Sequence, residues 1–374
     1  MTAPDRLRVV VVAPLRFPIR QPHAGGLESA VWNEVRTLRA RGHEVSLIAV
    51  EGSDFLDGGP DAFVLPTLDW PAGVRGDDST YPPDYLARSV PALDRALDVV
   101  ARDPGRYDVI SNHCLHGLPL RRARELGVPV VSTLHTPLED ELVDAVAHAR
   151  DSRFLAVSEH TRSEWAQVGV ASTVLPNGIA AEDWPLGPGG DGLVWSGRLV
   201  PEKAPHLAID VARDLGLPLT IAGRVGDQDY AERYVLPRVG GSVRYVGLLA
   251  QPELAALLGR SAVALGTPVW AEPFGLVGPE ALMCGTPVAA FAAGGITEIA
   301  ARATGMVTAA PGDVAGLAGA VAELLSRTTA DPGFRGRVRR AAVRHFSLDA
   351  RIDVLEDVFA AMVAGRPAPA GVGA

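Results

Sequence analysis

The feature that most constrains this chain is an alternation. Apolar runs of strand length lie at residues 8–13, 45–49, 109–111, 128–133, 154–157, 193–196, 219–222, 243–246, 263–265 and 288–291. Stretches with helical periodicity separate several of them. Leu27, Val31, Val35 and Leu38 form one apolar stripe, closed by Gly42, and Leu207, Val211 and Leu215 form another, closed by Gly216. Near-continuous apolar strands joined by helices predict parallel sheets covered on both faces.

The alternation breaks once. After PNGI at 176–179 comes AAEDWPLGPGGDG, and LVWSG then restarts the pattern. The expected fold is therefore α/β, with two doubly wound Rossmann-like domains facing across a cleft. The first is expected over 1–182, a linker over 183–192 and the second domain over 193–346. A helix over 347–364 is expected to follow, with a disordered tail over 365–374. Residues 52–84 read as a surface insertion with a short strand at 63–65. A length of 374 residues suits two domains. Ligands of such sheets bind beyond the carboxyl ends of the strands, so the chemistry should lie there.

Composition removes several classes of function. Net charge is −9 and the cations form no run interleaved with aromatics, which argues against a nucleic-acid partner. The locally basic stretch 335–344 reads as the solvated face of a helix. Cys114 and Cys284 are expected to be reduced and buried. Residues 7–13 make a strand, not a membrane span, and the N-terminal stretch reads as no cleavable leader, so the expected location is the cytoplasm.

Three stretches carry chemistry. In AEPFGLVGPEALMCGTP, 271–287, Pro273 biases Glu272 towards a loop and Gly275 allows close backbone approach. A helix is expected to start near Leu276 or Pro279 and to end at Gly285. Its first N–H groups suit a phosphate, with Glu272 and Glu280 accepting from hydroxyls on either side. Taken alone, the two glutamates read first as an exposed loop residue and a favourable helix-dipole partner. In VWSGRLVPEKAPHLAI, 194–209, Arg198 and Lys203 follow a strand end where a diphosphate would need positive charge. In PHAGGLESAVW, 22–32, Gly25 and Gly26 line a second helix start, without the dinucleotide spacing. Asp227-Gln228-Asp229 is an isolated acidic loop motif, and His113 and His116 at a strand end lack a third ligand, so no metal is expected.

Taken in order, these stretches resemble the retaining glycosyltransferases of family 4, of GT-B architecture. The match runs through Gly25-Gly26-Leu27-Glu28, NHCLHG at 112–117, Thr133-Leu134-His135, AVSEHTR at 156–162, PNGI, GRLVPEK at 197–203, AG at 222–223, YVG at 245–247 and the closing block at 272–299. The resemblance implies that Arg198, Lys203 and the backbone of Phe274, Gly275 and Leu276 hold a donor diphosphate, and that Glu280 binds a ribose. It implies that Glu272 and His135 attend the donor sugar, with Gly25, Gly26 and His113 lining the cleft from the first domain. It implies a terminal helix crossing back to the first domain. It also implies transfer from a nucleoside-diphosphate sugar, uridine diphosphate first, to an acceptor hydroxyl with retained configuration. The sugar nucleotide would be a substrate, so no cofactor is expected. Stable membrane insertion is not expected. Ala204 departs from the glycine usual in the family, and Pro279 precedes Glu280. A nucleotide-sugar epimerase of the same architecture and a silent nucleotide-sugar binding protein are the alternatives.

Overall fold

The computed structural model describes residues 6–71, 77–78 and 80–365. The expected tail, apart from Gly365, lies outside the described residues. The chain divides into two units. The first comprises Met1–Val74, Tyr81–Pro176 and Asp349–Ala374, and the second Arg75–Thr80 and Asn177–Leu348. The change of unit thus comes at Pro176, before the Gly/Pro-rich segment, and residues 75–80 of the insertion join the second unit.

The first unit is built on β1 (Arg8–Val12), β2 (Glu44–Val50), β3 (Val64–Leu65), β4 (Val109–Asn112), β5 (Val130–Leu134), β6 (Arg153–Ala156) and β7 (Ser172–Val174). They form a 7-stranded sheet in the order β3-β2-β1-β4-β5-β6-β7, and every pair in it is parallel. The second unit uses β8 (Leu193–Ser196), β9 (Leu219–Ala222), β10 (Val243–Tyr245), β11 (Val263–Gly266), β12 (Val288–Phe291) and β13 (Met306–Ala309), a parallel 6-stranded sheet ordered β10-β9-β8-β11-β12-β13. In each sheet the order reverses beside the first strand, the doubly wound arrangement. β1 is buried from Val9 to Val12, which is why it reads as an unbroken valine run, and β4 is fully buried although it carries Ser111 and Asn112.

The helix Gly26–Ala40 departs from a simple amphipathic stripe. Val31, Val35 and Leu38 are buried as expected, but so are Glu28 and Glu34. The helix Leu348–Val363 lies with the first unit from Asp349 on. There Arg41 meets Asp353 at 2.6 Å and Glu356 at 3.0 Å, and His43 donates to Glu356 at 2.9 Å. Arg351 donates to the carbonyls of Leu175 and Pro176 at 2.9 and 3.1 Å.

The basic stretch 335–344 is not simply a solvated face. In the helix Phe334–Phe346, Arg335 turns inward to the carbonyls of Gly259 and Ser261 and to the Thr286 hydroxyl. Arg339 reaches the carbonyls of Ala181, Trp184 and Met283. Two guanidinium forks thus satisfy loop and helix-end carbonyls, of which Gly259 also accepts from Gly189 N–H at 2.9 Å. No described helix is long and apolar enough to cross a membrane.

Candidate functional site

In the second unit the expected residues cluster beyond the carboxyl ends of β8, β9 and β11. Gly197 and Arg198 follow β8, and the short 3-10 turn Pro201–Lys203 brings Lys203 back beneath it. The turn is fastened by Thr267, just after β11. Its hydroxyl receives Trp195 Nε1–H at 2.9 Å and lies 2.9 and 3.0 Å from the carbonyl oxygens of Lys203 and Ala204. Ala204 then adopts φ 44, ψ 51, the left-handed region that costs an L-residue about 1–2 kcal/mol. The chain therefore keeps the backbone geometry of a glycine at a position without one.

Lys203 Nζ bonds directly to the Glu272 carboxylate, which also accepts from Trp270 Nε1 at 2.9 Å. Glu272 is held by the pair Gly294-Gly295 as well: Gly295 N–H donates to the Glu272 carbonyl at 2.7 Å. A Cβ on Gly294, at φ +56, would stand 2.4 Å from that carbonyl oxygen and 2.7 Å from the Glu272 nitrogen, both rigid backbone. Gly294→Ala is expected to cost more than about 2 kcal/mol in denaturant unfolding, because left-handed strain and backbone displacement add. The same variant should lose any ligand response that depends on Glu272.

The helix after this loop is Val277–Met283, ended by Gly285 at φ +71. Pro279 lies in its first turn, where it costs no hydrogen bond. The N–H groups of Phe274, Gly275 and Leu276 donate to no acceptor among the described residues. Glu280 is buried, and its side chain has neither a hydrogen-bond nor an ion-pair partner among them. Burial raises its carboxyl from an ordinary 4.5 to about 7.

Arg198 is not free. Its guanidinium donates to Asp78 at 2.7 Å, with Glu202 at 3.4 Å. Arg224, which follows β9 and Gly223, grips the same carboxylate with both Nη atoms at 3.0 and 2.5 Å. Asp78 is anchored by its own N–H to the Gly226 carbonyl at 3.1 Å. Two guanidinium groups thus converge on one anion.

In the first unit, β4 and β5 are neighbours, so their carboxyl ends bring His113 and His135 together. His113 Nδ1 lies 2.8 Å from His135 Nε2. Gly25 and Gly26 open the helix Gly26–Ala40 after β1, with Gly26 exposed. Asp227 accepts from Tyr230 N–H at 2.9 Å, so the acidic loop motif includes a helix cap. Cys114 and Cys284 are free and buried, and burial pushes both thiols up to about 12.

The model for Glycosyltransferase Family 4 matches residues 24–183, and that for Glycosyl transferases group 1 follows directly over 184–342. The chain belongs with the GT4-like glycosyltransferases of GT-B architecture. It is 39% identical over 188 residues to a glycogen synthase of Mycobacterium tuberculosis, a stretch that takes in 47% of this chain and 44% of that one. Less than half of that relative's length is therefore spanned. The D-inositol 3-phosphate glycosyltransferase of Acidothermus cellulolyticus is 27% identical over 391 residues, covering 90% of this chain and 86% of its own. Among solved structures, Anabaena HepE in complex with UDP and glucose superposes with a TM-score of 0.70 at 19% identity, over 94% of this chain and 98% of that one. That likeness bears on the fold.

Several residues of this cluster were missed from sequence. Arg224 follows Ala222-Gly223 as Arg198 follows Ser196-Gly197, and that parallel between two adjacent strand ends was a usable signal. Thr267 and Trp270 act locally and carry no motif. Asp78 lies 120 positions from Arg198, and nothing in spacing could have joined them.

Proposed function

We propose that this protein is a retaining glycosyltransferase that takes a nucleoside-diphosphate sugar, with uridine diphosphate as the first candidate, and delivers the sugar to an acceptor hydroxyl. The observation that carries the reading is Glu280, a buried carboxyl without a partner near a loop whose N–H groups are also unspent. Polar groups buried in that state are normally matched. A ribose offers hydroxyl donors for the carboxylate, and a diphosphate offers acceptors for the N–H groups.

In this reading Arg198 and Arg224 receive the diphosphate, aided by Lys203 and the start of the helix Val277–Met283. As the bond to the sugar breaks, negative charge grows on the leaving phosphate, and fixed cations already in place stabilise it. Glu272, held by Lys203 and Trp270, accepts from sugar hydroxyls and fixes the ring. His135 is a further hydrogen-bond partner for that sugar. The acceptor is a small molecule or glycan hydroxyl, and no step needs a metal ion or cofactor. The protein would act in the cytoplasm.

Thermal unfolding with a panel of nucleotide sugars and free nucleotides checks the reading. A ligand at about 100 times its dissociation constant should add roughly 2.7 kcal/mol. The stabilisation should be confined to one base and absent in Arg198→Ala. A folded protein that answers to no nucleotide sugar would sink the proposal.

A further inference from the structure

A line of buried polar groups runs through the first unit and ends at His135. Glu34 belongs to the middle of the helix Gly26–Ala40 and is 1% exposed, as is His113. Glu34 Oε1 accepts from the Ser111 hydroxyl at 2.6 Å and lies 2.9 Å from His113 Nε2. Ser111 Oγ is itself 3.1 Å from that nitrogen. Glu34 Oε2 accepts no hydrogen bond but faces Arg351 Nη2 at 3.6 Å. At the other side His113 Nδ1 meets His135 Nε2. His135 Nδ1 has no partner in the described chain, yet it is not among the atoms sealed from solvent without one.

A carboxylate in such a place is costly, and aliphatic side chains would fill the space at less cost. Burial would push the Glu34 carboxyl up, but the His113 ring, the Arg351 guanidinium and the Ser111 hydroxyl hold it at about 2, so it is ionised. Burial lowers His135 well below the usual histidine range, so its ring is neutral. Ionised Glu34 and charged Arg351 already balance.

We propose that Glu34 and His113 are positioning residues that fix the tautomer of His135, holding its proton on Nε2 and presenting a bare Nδ1 as a hydrogen-bond acceptor for a ligand hydroxyl. The logic is that of a donor chain. Ionised Glu34 can only accept, so His113 must carry its proton on Nε2. With a single proton on the ring, His113 Nδ1 is then an acceptor, and His135 Nε2 donates to it. The remaining lone pair of His135 sits on Nδ1. The consequence for catalysis rests on the transferase reading; the tautomer does not.

Selective 15N labelling of histidine in the full chain, with long-range 1H–15N correlation near neutral pH, reads the proton positions directly; His135→Asn assigns the signal. The wild type should give one neutral His135 ring, pyrrole-like at Nε2 and pyridine-like at Nδ1. In Glu34→Gln the amide should turn its oxygen to Arg351 and its NH2 group to His113 Nε2. That moves the His113 proton to Nδ1 and inverts His135 to the Nδ1–H form. With a donor identified, the same variant should lose about tenfold in kcat/KM, the loss of one well-placed hydrogen bond. A role confined to folding stability would leave the tautomer where it was. A wild-type His135 with its proton on Nδ1, or charged at neutral pH, overturns the proposal even if the variant fails to fold. So does a folded Glu34→Gln with an unchanged His135 spectrum. Absent nucleotide response with the expected tautomers would count against the transferase reading alone.

Discussion

Glu280→Gln should make the free protein more stable and at the same time weaken its grip on the proposed nucleotide. The carboxyl carries a folded-state value of about 7 against an ordinary 4.5, raised by burial. Between those values the folded chain binds more protons than the unfolded one, so stability falls as pH rises through the window and levels off above it. At pH 8 the wild type has lost on the order of 3 kcal/mol on this account. Glutamine has nothing to lose. Denaturant unfolding should therefore find the variant ahead of the wild type at pH 8 by that order, and level with it near pH 4. Ribose hydroxyls would favour the ionised form, so wild-type affinity should weaken below pH 7. The variant should bind the nucleotide about 10- to 100-fold more weakly, the cost of charge-assisted bonds replaced by neutral ones. Equal stability of the two proteins at pH 8 would mean that Glu280 already has a partner, and the reading of the site would fall with it.

Asp78→Ala should do the reverse. Its carboxylate, 9% exposed, sits between Arg198 and Arg224 where the proposed diphosphate belongs. Without it two part-buried guanidinium groups face each other, which should cost the free protein up to about 3 kcal/mol. The diphosphate would no longer compete with an internal anion, and its affinity should rise about tenfold. Calorimetric titration of uridine diphosphate into both proteins checks this. An affinity that falls in the variant would show that Asp78 supports the ligand rather than standing in its place.

Much of the fold was legible because parallel strands buried on both faces must read as short apolar runs, and helices between them must carry stripes. β7 and β13 escaped. Ser172–Val174 has three residues and Met306–Ala309 is half-buried along its length, so neither shows a run long enough to stand out. Of the site, Arg198, Lys203, Glu272 and Glu280 were visible because each follows a strand end or opens a helix. What each one touches was not. That Lys203 is spent on Glu272 and Arg198 on Asp78 depends on how loops fold back over the strand ends, and charge alone does not state it. Glu34 was hidden for the opposite reason. A glutamate in mid-helix normally marks the wet side, and only the meeting of Ser111, His113 and Arg351 around it makes burial tolerable.

The return of the last helix to the first unit sets an order of events on the ribosome. The second unit ends at Leu348, and the first needs Asp349 onwards to close. The part of the chain synthesised first is therefore the last to be finished. Until Arg351, Asp353 and Glu356 leave the exit tunnel, Glu34, Arg41 and His43 lack their ion-pair partners from the last helix. A nascent chain stalled before residue 349 should hold a second unit protected from protease and a first unit still open to it.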